Sequence, residues 1–574
     1  MAPSTLAPDR RAERAADAVA HAFVTLRHRF DALTARAADH FASRDWRRGN
    51  RDASARLLVY SRQTNAAVRW VRETMSNRLR DRALWSEVRA RFANHIADRT
   101  DHEVAATFFN SVTRRVFGTV GVDRGIEFLG ADLDGGKRGE APVARASLNG
   151  GATDMARLLA ALPLKARWRD LPGDADAVWA AVVGELKARG ITEAADVELL
   201  TTLFYRNKGA YVVGRVATGA GVVPLVLPLL HGDDGVFVDA ALTTSDEASI
   251  VFGFSWSYFQ VAAEHPGAIV RFLASLMPLK RIDELYTSIG FHKHGKTELY
   301  RGVVTHLLAH GDRFERAQGQ PGLVMTVIAL PSYNLVLKII RDSISYPKRV
   351  TRREVIAQYR FVFLRDRVGR LADAQEFERL ELPRNAFPDD LLDELLHTAH
   401  SSVVAEDDHV IIGHCYAQRR LEPLDVYLRA AAPDEARAAI RDYGQAIEDL
   451  AHAGIFPGDM LLKNFGLSRH GRVIFYDYDE VEELDDVVFR EMPVGTPEDE
   501  LSAEPWYSVG EHDAFPEEFI PFLVPAGPLR DEFLSAHGGL LTAEWWRDVQ
   551  RRIREGELFD VYPYARSRRL RIER

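Results

Sequence analysis

The chain is poor in cysteine, in uninterrupted apolar runs, in excess basic charge and, over its N-terminal part, in proline. One cysteine, Cys415, stands in 574 residues. A lone thiol forms no intrachain disulfide, which excludes an extracellular disulfide scaffold. Between His414 and Tyr416 it reads as a small core residue. No uncharged apolar run reaches the roughly 18 residues of a membrane span. The balance of 74 basic against 83 acidic side chains gives a net charge of −9. A general nucleic-acid binder needs the opposite sign to meet phosphates, and the short arginine pairs at 47–48, 352–353 and 568–569 read as solvated faces or local ion pairs. Residues 1–14 carry several charges and no apolar core, so no secretory signal is read and a cytoplasmic location is expected. Proline is absent from 9 to 141, which permits long helices there.

What is present is a folded-protein composition, 46% apolar and 27% charged. The length implies two domains or three. Residues 8–115 read as helix throughout, with Val19, Phe23, Leu26, Phe30 and Leu33 recurring at three and four. The Gly- and Asp-rich stretch 130–151 reads as a loop or hairpin. Segments 211–213 and 222–230 are β-rich, and a turn at 231–235 leads into 236–238. Helical periodicity returns over 257–310. Residues 1–308 therefore form a mostly helical domain with a small sheet.

Near 310 the pattern switches. Strands are predicted at 323–330 and 335–340 around a turn at 331–334, with further strands at 361–364 and 410–413. A long amphipathic helix follows at 434–452 and a buried strand at 473–476. Strands first and helices later is the order of a two-lobed kinase-like domain. The fold class is α+β: a bilobal protein-kinase-like domain at 309–574, with lobes of about 309–420 and about 421–574, behind the helical domain.

Four features carry the chemistry. Ala317-Gln318-Gly319-Gln320-Pro321-Gly322-Leu323 runs into a strand, and its glycines let backbone N–H groups approach phosphates. Taken alone it is also an ordinary Gly/Pro turn. Lys338 sits inside the apolar strand Val336-Leu337-Lys338-Ile339-Ile340, where a buried ammonium needs an anionic partner. An edge strand with Lys338 in water is the alternative. Gly458-Asp459-Met460-Leu461-Leu462-Lys463-Asn464 follows the long helix, and an Asp and an Asn five apart match a kinase catalytic loop. There Asp459 takes the substrate hydroxyl proton, Asn464 holds a metal and Lys463 neutralises the transferring group; a Gly/Asp turn is the competing reading. Tyr476-Asp477-Tyr478-Asp479 ends a hydrophobic strand where a kinase holds Mg2+, although the acidic run behind it also reads as a solvated loop. The order of the four, with Asp459 and Asp477 eighteen positions apart, favours phosphoryl transfer over four unrelated turns. Pro457-Gly458 replaces the usual His-Arg, Tyr478-Asp479 replaces Phe-Gly, and Ala-Pro-Glu is missing, so an ordinary eukaryotic kinase is not expected.

The sequence resembles the isocitrate dehydrogenase kinase/phosphatase family over nearly its whole length. The resemblance runs through Asn110-Ser111-Val112, Leu203-Phe204-Tyr205-Arg206-Asn207-Lys208, Glu247-Ala248-Ser249-Ile250-Val251-Phe252-Gly253-Phe254 and Asp366-Arg367-Val368-Gly369-Arg370-Leu371-Ala372-Asp373. It continues in the Asp459–Asn464 loop and Phe475-Tyr476-Asp477-Tyr478-Asp479. It implies a regulatory first half that senses AMP and other metabolites, and a second half that phosphorylates a serine of isocitrate dehydrogenase with ATP, reverses the reaction and has a background ATPase. That activity switches carbon between the tricarboxylic acid cycle and the glyoxylate bypass. Ala317 to Leu323 and Lys338 match the ATP-binding positions of the family, and Asp373 its active-site aspartate linked to the phosphatase. Locally Asp373 also reads as a helix N-cap before Ala374-Gln375-Glu376.

The expected small molecules are ATP with Mg2+ or Mn2+, and AMP or ADP as effectors; Asn464, Asp477 and Asp479 are the expected metal ligands. The expected protein partner is isocitrate dehydrogenase, with no nucleic acid and no membrane. The oligomeric state, a homodimer being one option, is open. So is the carboxylate that pairs with Lys338, for which Glu354, Glu376 and Glu378 are the choices. Two rival functions stand beside this one. A small-molecule phosphotransferase of the aminoglycoside or choline type matches Gly458-Asp459 but not the long helical first half. A non-catalytic scaffold would have no use for Lys338, Asp459, Asn464 and Asp477 together.

Overall fold

A computed structural model describes residues 10–129, 139–147, 150–192, 196–253, 258–346, 348, 350–365, 367–493 and 507–570. Half of the expected loop at 130–151 lies outside them, as do residues 254–257, position 366 and the first nine residues. The single helical reading of 8–115 resolves into α1 (Arg10–Ser43), α2 (Trp46–Met75), α3 (Arg82–Ile96) and α4 (His102–Phe117). The breaks have a cause in the sequence. The Asp45 carboxylate accepts the N–H of Arg48 (3.1 Å) and that of Asp81 accepts Leu84 N–H (3.1 Å), each capping a new helix.

An antiparallel sheet follows, with β1 (Val143–Ser147), β2 (Asp196–Leu200), β3 (Phe204–Arg206), β4 (Gly209–Thr218), β5 (Gly221–Gly232) and β6 (Gly235–Val238) in the order β1-β2-β4-β5-β6, and β3 paired to β4. Period-two alternation splits its residues between two cores. Tyr211 and Val213 face the helices α1–α4, whereas Ala210, Val212 and Val216 face α5 (Gly151–Ala160) and α6 (Leu171–Ala188). Helices α7 (Ser245–Val251), α8 (Pro266–Leu276), α9 (Ile282–Ser288) and α10 (His292–His310) complete this half.

The second half opens on a sheet of β7 (Glu315–Arg316), β8 (Met325–Leu330), β9 (Leu335–Ile340), β10 (Ala374–Pro383), β11 (Val403–Ala405) and β12 (His409–Arg419), ordered β10-β12-β9-β8-β7 with β11 on β12. One face, including Leu337, Ile339 and Cys415, packs against Leu299, Val303 and Leu307 of α10 and against α12 (Asp389–Thr398). The last helix before the switch thus backs the sheet of the second domain, and Cys415 is the buried core residue expected. Two local readings are overturned. Residues 361–364 lie in helix α11 (Arg352–Arg365), because Val355, Tyr359 and Val362 bury one helical stripe that outweighs the β-rich look of Phe361-Val362-Phe363. Ala374 to Glu376 open strand β10, so Asp373 caps no helix.

The larger lobe is built on α14 (Pro433–His452), which follows α13 (Leu424–Ala430). Short strands β13 (Glu422–Pro423), β14 (Ile455–Phe456), β15 (Phe465–Leu467), β16 (Val473–Phe475) and β17 (Glu482–Glu483) carry the loops between them. The chain then returns to the first domain, where the Tyr564 hydroxyl (2.7 Å) and the Arg569 guanidinium (2.8 Å) donate to the buried Asp239 carboxylate. Among the described residues no helix is long and apolar enough to cross a membrane.

One buried ion network ties this lobe together. The Arg370 guanidinium, 3% exposed, donates to Asp449 Oδ2 (2.7 Å), to both oxygens of Asp442 (2.8 Å each) and to Val473 O (3.0 Å). It joins the 369–373 segment to α14 and β16. Arg370→Met strands two carboxylates and is expected to cost about 3–5 kcal/mol. Urea unfolding followed by circular dichroism checks this, and a loss below about 1 kcal/mol contradicts it.

Candidate active site

A cleft of about 210 Å3 lies between the β7–β12 sheet and the larger lobe. Every predicted site residue except Asp373 lines it: Ala317 to Leu323, Lys338, Asp459, Lys463, Asn464, Asp477 and Asp479. Its roof is the turn from β7 to β8, anchored where Ala317 N–H donates to Val327 O (3.1 Å). Gly319 has φ +107°, and a Cβ there would already touch Pro423 of β13 at 3.4 Å. Glycine lets this turn reach across the cleft.

Lys338 answers the question its sequence position raised. β9 is buried along its whole length, with Lys338 between Val327 of β8 and Tyr416 of β12, so it is not an edge lysine in water. Its ammonium donates to Tyr476 O (2.6 Å) and lies 4.9 Å from the centre of the Tyr476 ring. Burial pulls its pKa down to about 8, against the attraction of Asp477 and Asp479. None of the three glutamates considered is its partner. Glu354 is exposed and accepts Thr351 N–H (2.7 Å), Glu376 pairs with the His414 ring (3.0 Å), and Glu376 and Glu378 face Lys293 and Lys296 of α10. The counter-charge comes instead from the 477–479 segment.

That segment and the 457–464 loop are locked face to face. β14 pairs with β17 through Ile455–Glu483 and Phe456–Glu482. Gly458, at φ +71°, lies so close to the turn before β17 that a Cβ would fall 2.2 Å from Glu480 O. No side chain fits there, which is the physical reason for glycine before Asp459. Asn464 Nδ2 donates to Asp459 O (3.0 Å), leaving its amide oxygen to the cleft, and the Tyr476 hydroxyl donates to Lys463 O.

A residue that sequence reasoning missed sits at the centre. The Lys348 ammonium meets Glu480 at 2.6 Å, Asp479 at 3.5 Å and Asp459 at 3.7 Å. Burial would lower its pKa, but these carboxylates raise it. Lys348 lies in an irregular charged stretch with no periodicity, so nothing in the sequence separates it from a solvated lysine. Arg370 escaped for a similar reason, since its partners are 72 and 79 positions away. Asp479, 5% exposed, has its pKa pushed up to about 6 by burial and by Asp477, with Lys348 opposing.

Among the described residues no group of three His, Cys, Asp or Glu side chains encloses a metal ion. A magnesium site needs fewer, since it keeps several waters and substrate phosphates among its ligands. The donor set fits such an ion: one amide oxygen and carboxylates that already converge on a cation, the Lys348 ammonium.

Asp373 lies apart, on a neighbouring cavity. Leu371 bridges Phe475 in parallel, Ala372 N–H donates to Phe475 O (3.0 Å), and Gln375 Nε2 donates to Asp373 Oδ2 (3.0 Å). Asp373 therefore runs alongside the start of the 476–479 segment without lining the cleft.

The raised Asp479 acid has a stability consequence. Its folded pKa of about 6 exceeds the ordinary 3.8, so ionising it opposes folding. The penalty grows from about pH 4 to about pH 6 and is constant above. Asp479→Asn is expected to stabilise the metal-free chain at pH 7 by on the order of 2 kcal/mol, and to change nothing at pH 4. Thermal unfolding in chelator at the two pH values measures this; equal shifts at both would contradict it.

Comparison with known proteins agrees with this geometry. Residues 16–311 match the model of the isocitrate dehydrogenase kinase/phosphatase (AceK) regulatory domain, and residues 312–566 that of the AceK kinase domain. The isocitrate dehydrogenase kinase/phosphatase of Anaeromyxobacter sp. (strain Fw109-5) is 45% identical over 569 residues, covering 98% of this chain and 99% of its own. That of Anaeromyxobacter dehalogenans (strain 2CP-C) is 47% identical over 94% of each chain, and that of Xanthomonas euvesicatoria pv. vesicatoria (strain 85-10) is 42% identical over 98% of each. With a glycine-roofed cleft, a buried strand lysine and a facing pair of acidic loops already in place, these matches over both halves establish that the chain belongs to the isocitrate dehydrogenase kinase/phosphatase family.

Proposed function

We propose that the chain phosphorylates a serine of isocitrate dehydrogenase with ATP and removes that phosphate at the same cleft. Carbon is thereby switched between the tricarboxylic acid cycle and the glyoxylate bypass. Residues 1–308 act as a regulatory domain responsive to AMP and ADP, and residues 309–574 as the catalytic domain, with a background ATPase. The observation that carries the kinase half is one cavity shared by Lys338, Asp459 and Asp477. The names of the relatives carry the phosphatase and the partner.

In the forward direction Asp459 orients the serine hydroxyl and takes its proton. Lys338 positions the α- and β-phosphates, the backbone around Gly319 and Gly322 covers them, and Lys463 offsets charge on the transferring group. Asn464, Asp477 and Asp479 would hold Mg2+, or Mn2+ in its place, which supplies charge neutralisation across the phosphates when bound. Catalysis is then mostly positioning and preset electrostatics. In the reverse direction Asp477 or Asp479 orients the attacking water, and Asp373, held by Gln375 outside the cleft beside the start of their segment, acts by positioning that segment.

The small-molecule phosphotransferase reading has no use for a first domain that matches the family regulatory model over 16–311. Incubation with isocitrate dehydrogenase and γ-labelled ATP is expected to label the dehydrogenase, and AMP or ADP is expected to promote removal of the label. Label on an amino alcohol or aminoglycoside instead would favour the first rival; Mg·ATP binding without turnover would favour the scaffold. Lys338→Met is expected to lower kcat for the kinase by about 10²–10³. Asp373→Ala is expected to lose the phosphatase about 100-fold or more while keeping measurable kinase. Equal loss of both activities would defeat that division of labour.

A further inference from the structure

The cleft holds one cation to which the proposed reaction gives no role. Lys348 lies in the irregular connection between β9 and α11 and lines the cleft. Its side chain is 14% exposed, yet its ammonium is not locked in place. One short bond goes to Glu480 (2.6 Å), while Asp479 Oδ2 at 3.5 Å and Asp459 Oδ2 at 3.7 Å lie beyond ordinary hydrogen-bond length. An ammonium has three donors. Toward Asp479 and Asp459, both in the proposed catalytic machinery, it is held by charge alone.

The two lysines divide the acids of the cleft between them. Lys338 feels the charges of Asp477 and Asp479, whereas Lys348 feels those of Asp479, Glu480 and Asp459. Asp459 marks the transfer end of the cleft, since it takes the serine proton. Its Oδ1 accepts the Leu461 N–H (3.3 Å), which leaves Oδ2 to face Lys348. Lys338 thus stands at the α,β-phosphate end and Lys348 at the terminal end. Lys463, the cation assigned to the transferring group from the motif, is exposed. Charge acts more strongly where water is fewer, which favours Lys348 for that task. A compact ammonium on a flexible four-carbon stem is also suited to exchanging one anion for another.

We propose that Lys348 binds the terminal phosphate of the nucleotide, and that in the empty cleft its ammonium waits on Asp479 and Asp459 in the place of the ligand's positive charge. Lys348 gives up Asp479 when that carboxylate turns to Mg2+, and swings to the phosphate. Loss of the lysine then has two opposite effects. The carboxylates hold a divalent ion more tightly, with one competing cation fewer, while a triphosphate loses a contact. An ion pair that only supports the fold produces neither. This inference rests on the nucleotide reading of the cleft.

The test uses the full-length chain. Calorimetric titration with a non-hydrolysable ATP analogue at saturating Mg2+ is expected to show binding at least tenfold weaker in Lys348→Met, with ADP affinity changed less than threefold. Mn2+ alone, followed by paramagnetic resonance, is expected to bind that variant at least threefold more tightly than the parent. Glu480→Gln, which keeps the lysine and removes its shortest bond, is expected to keep or raise analogue affinity. Crystals of the parent chain with Mn2+ and the analogue are expected to place Lys348 Nζ within hydrogen-bond reach of a terminal phosphate oxygen, and this decides the matter if Lys348→Met does not fold. Equal losses for ADP and the analogue, unchanged or weaker Mn2+ binding, an equal loss in Glu480→Gln, or Lys348 still on Glu480 in the loaded crystal would each overturn the proposal. A parent chain that binds no analogue at all would instead sink the nucleotide reading, and this inference with it.

Discussion

Three carboxylates that line the cleft, Asp459, Asp477 and Asp479, are brought together with Glu480 beside them, and two ammonium groups make that arrangement tolerable. Lys348 bonds Glu480 and lies near Asp459 and Asp479, while Lys338 stands opposite Asp477 and Asp479. Like charges in low dielectric repel strongly, and Asp479 shows it by holding its proton up to about pH 6. The site is thus poised to receive a divalent cation and a polyanion, which together replace internal pairing by ligand pairing. Lys338 comes from a strand, Lys348 from an irregular stretch, and the carboxylates from two loops, so the cleft exists only when all four are in place.

The rest of the structure holds those pieces in register. Gly458 permits backbone contact with the Glu480 segment, β14 and β17 zip the two acidic loops together, and Arg370 ties the neighbouring 369–373 segment to α14 through Asp442 and Asp449. The missing His-Arg before Asp459 is thereby explained in part. An arginine placed 89 positions earlier in the chain anchors this lobe, and a glycine is required where a bulky residue would collide with Glu480. The first domain is not a loose appendage. Its helix α10 forms part of the core behind the catalytic sheet, Asn207 donates to Arg367 O (2.7 Å), and the C-terminal residues return to Asp239.

Such an interface gives regulation a physical route. Arg419 belongs to the strand that leads out of the catalytic sheet, contacts Glu284 of the first domain and lines both the cleft and the cavity behind it. Lys293 and Lys296 of α10, facing Glu376 and Glu378 of β10, form a second charged seam between the domains. Both seams join charged groups across the boundary between the domains.

Much of the site was legible because phosphate chemistry constrains residue type and order. Glycines in a turn, a lysine in an apolar strand, an Asp and an Asn five apart and a second acidic pair are local signals, and all of them came to one cleft. Local period also served well for the long helices and for β4, β5, β9 and α14. It failed at 361–364, where a buried helical stripe outweighed the residues' β-propensity, and at Asp373, after which a strand begins instead of a capped helix. The partner of Lys338, the place of Lys348 and the Arg370 network were invisible, because each depends on pairing across tens to hundreds of positions with no periodic trace. Composition and motif order were enough to decide the class of chemistry and to single out residues that share one cleft. Which charges meet, how far each is buried and which wall two cavities share were decided by packing, since distance and desolvation exist only once the chain has closed on itself.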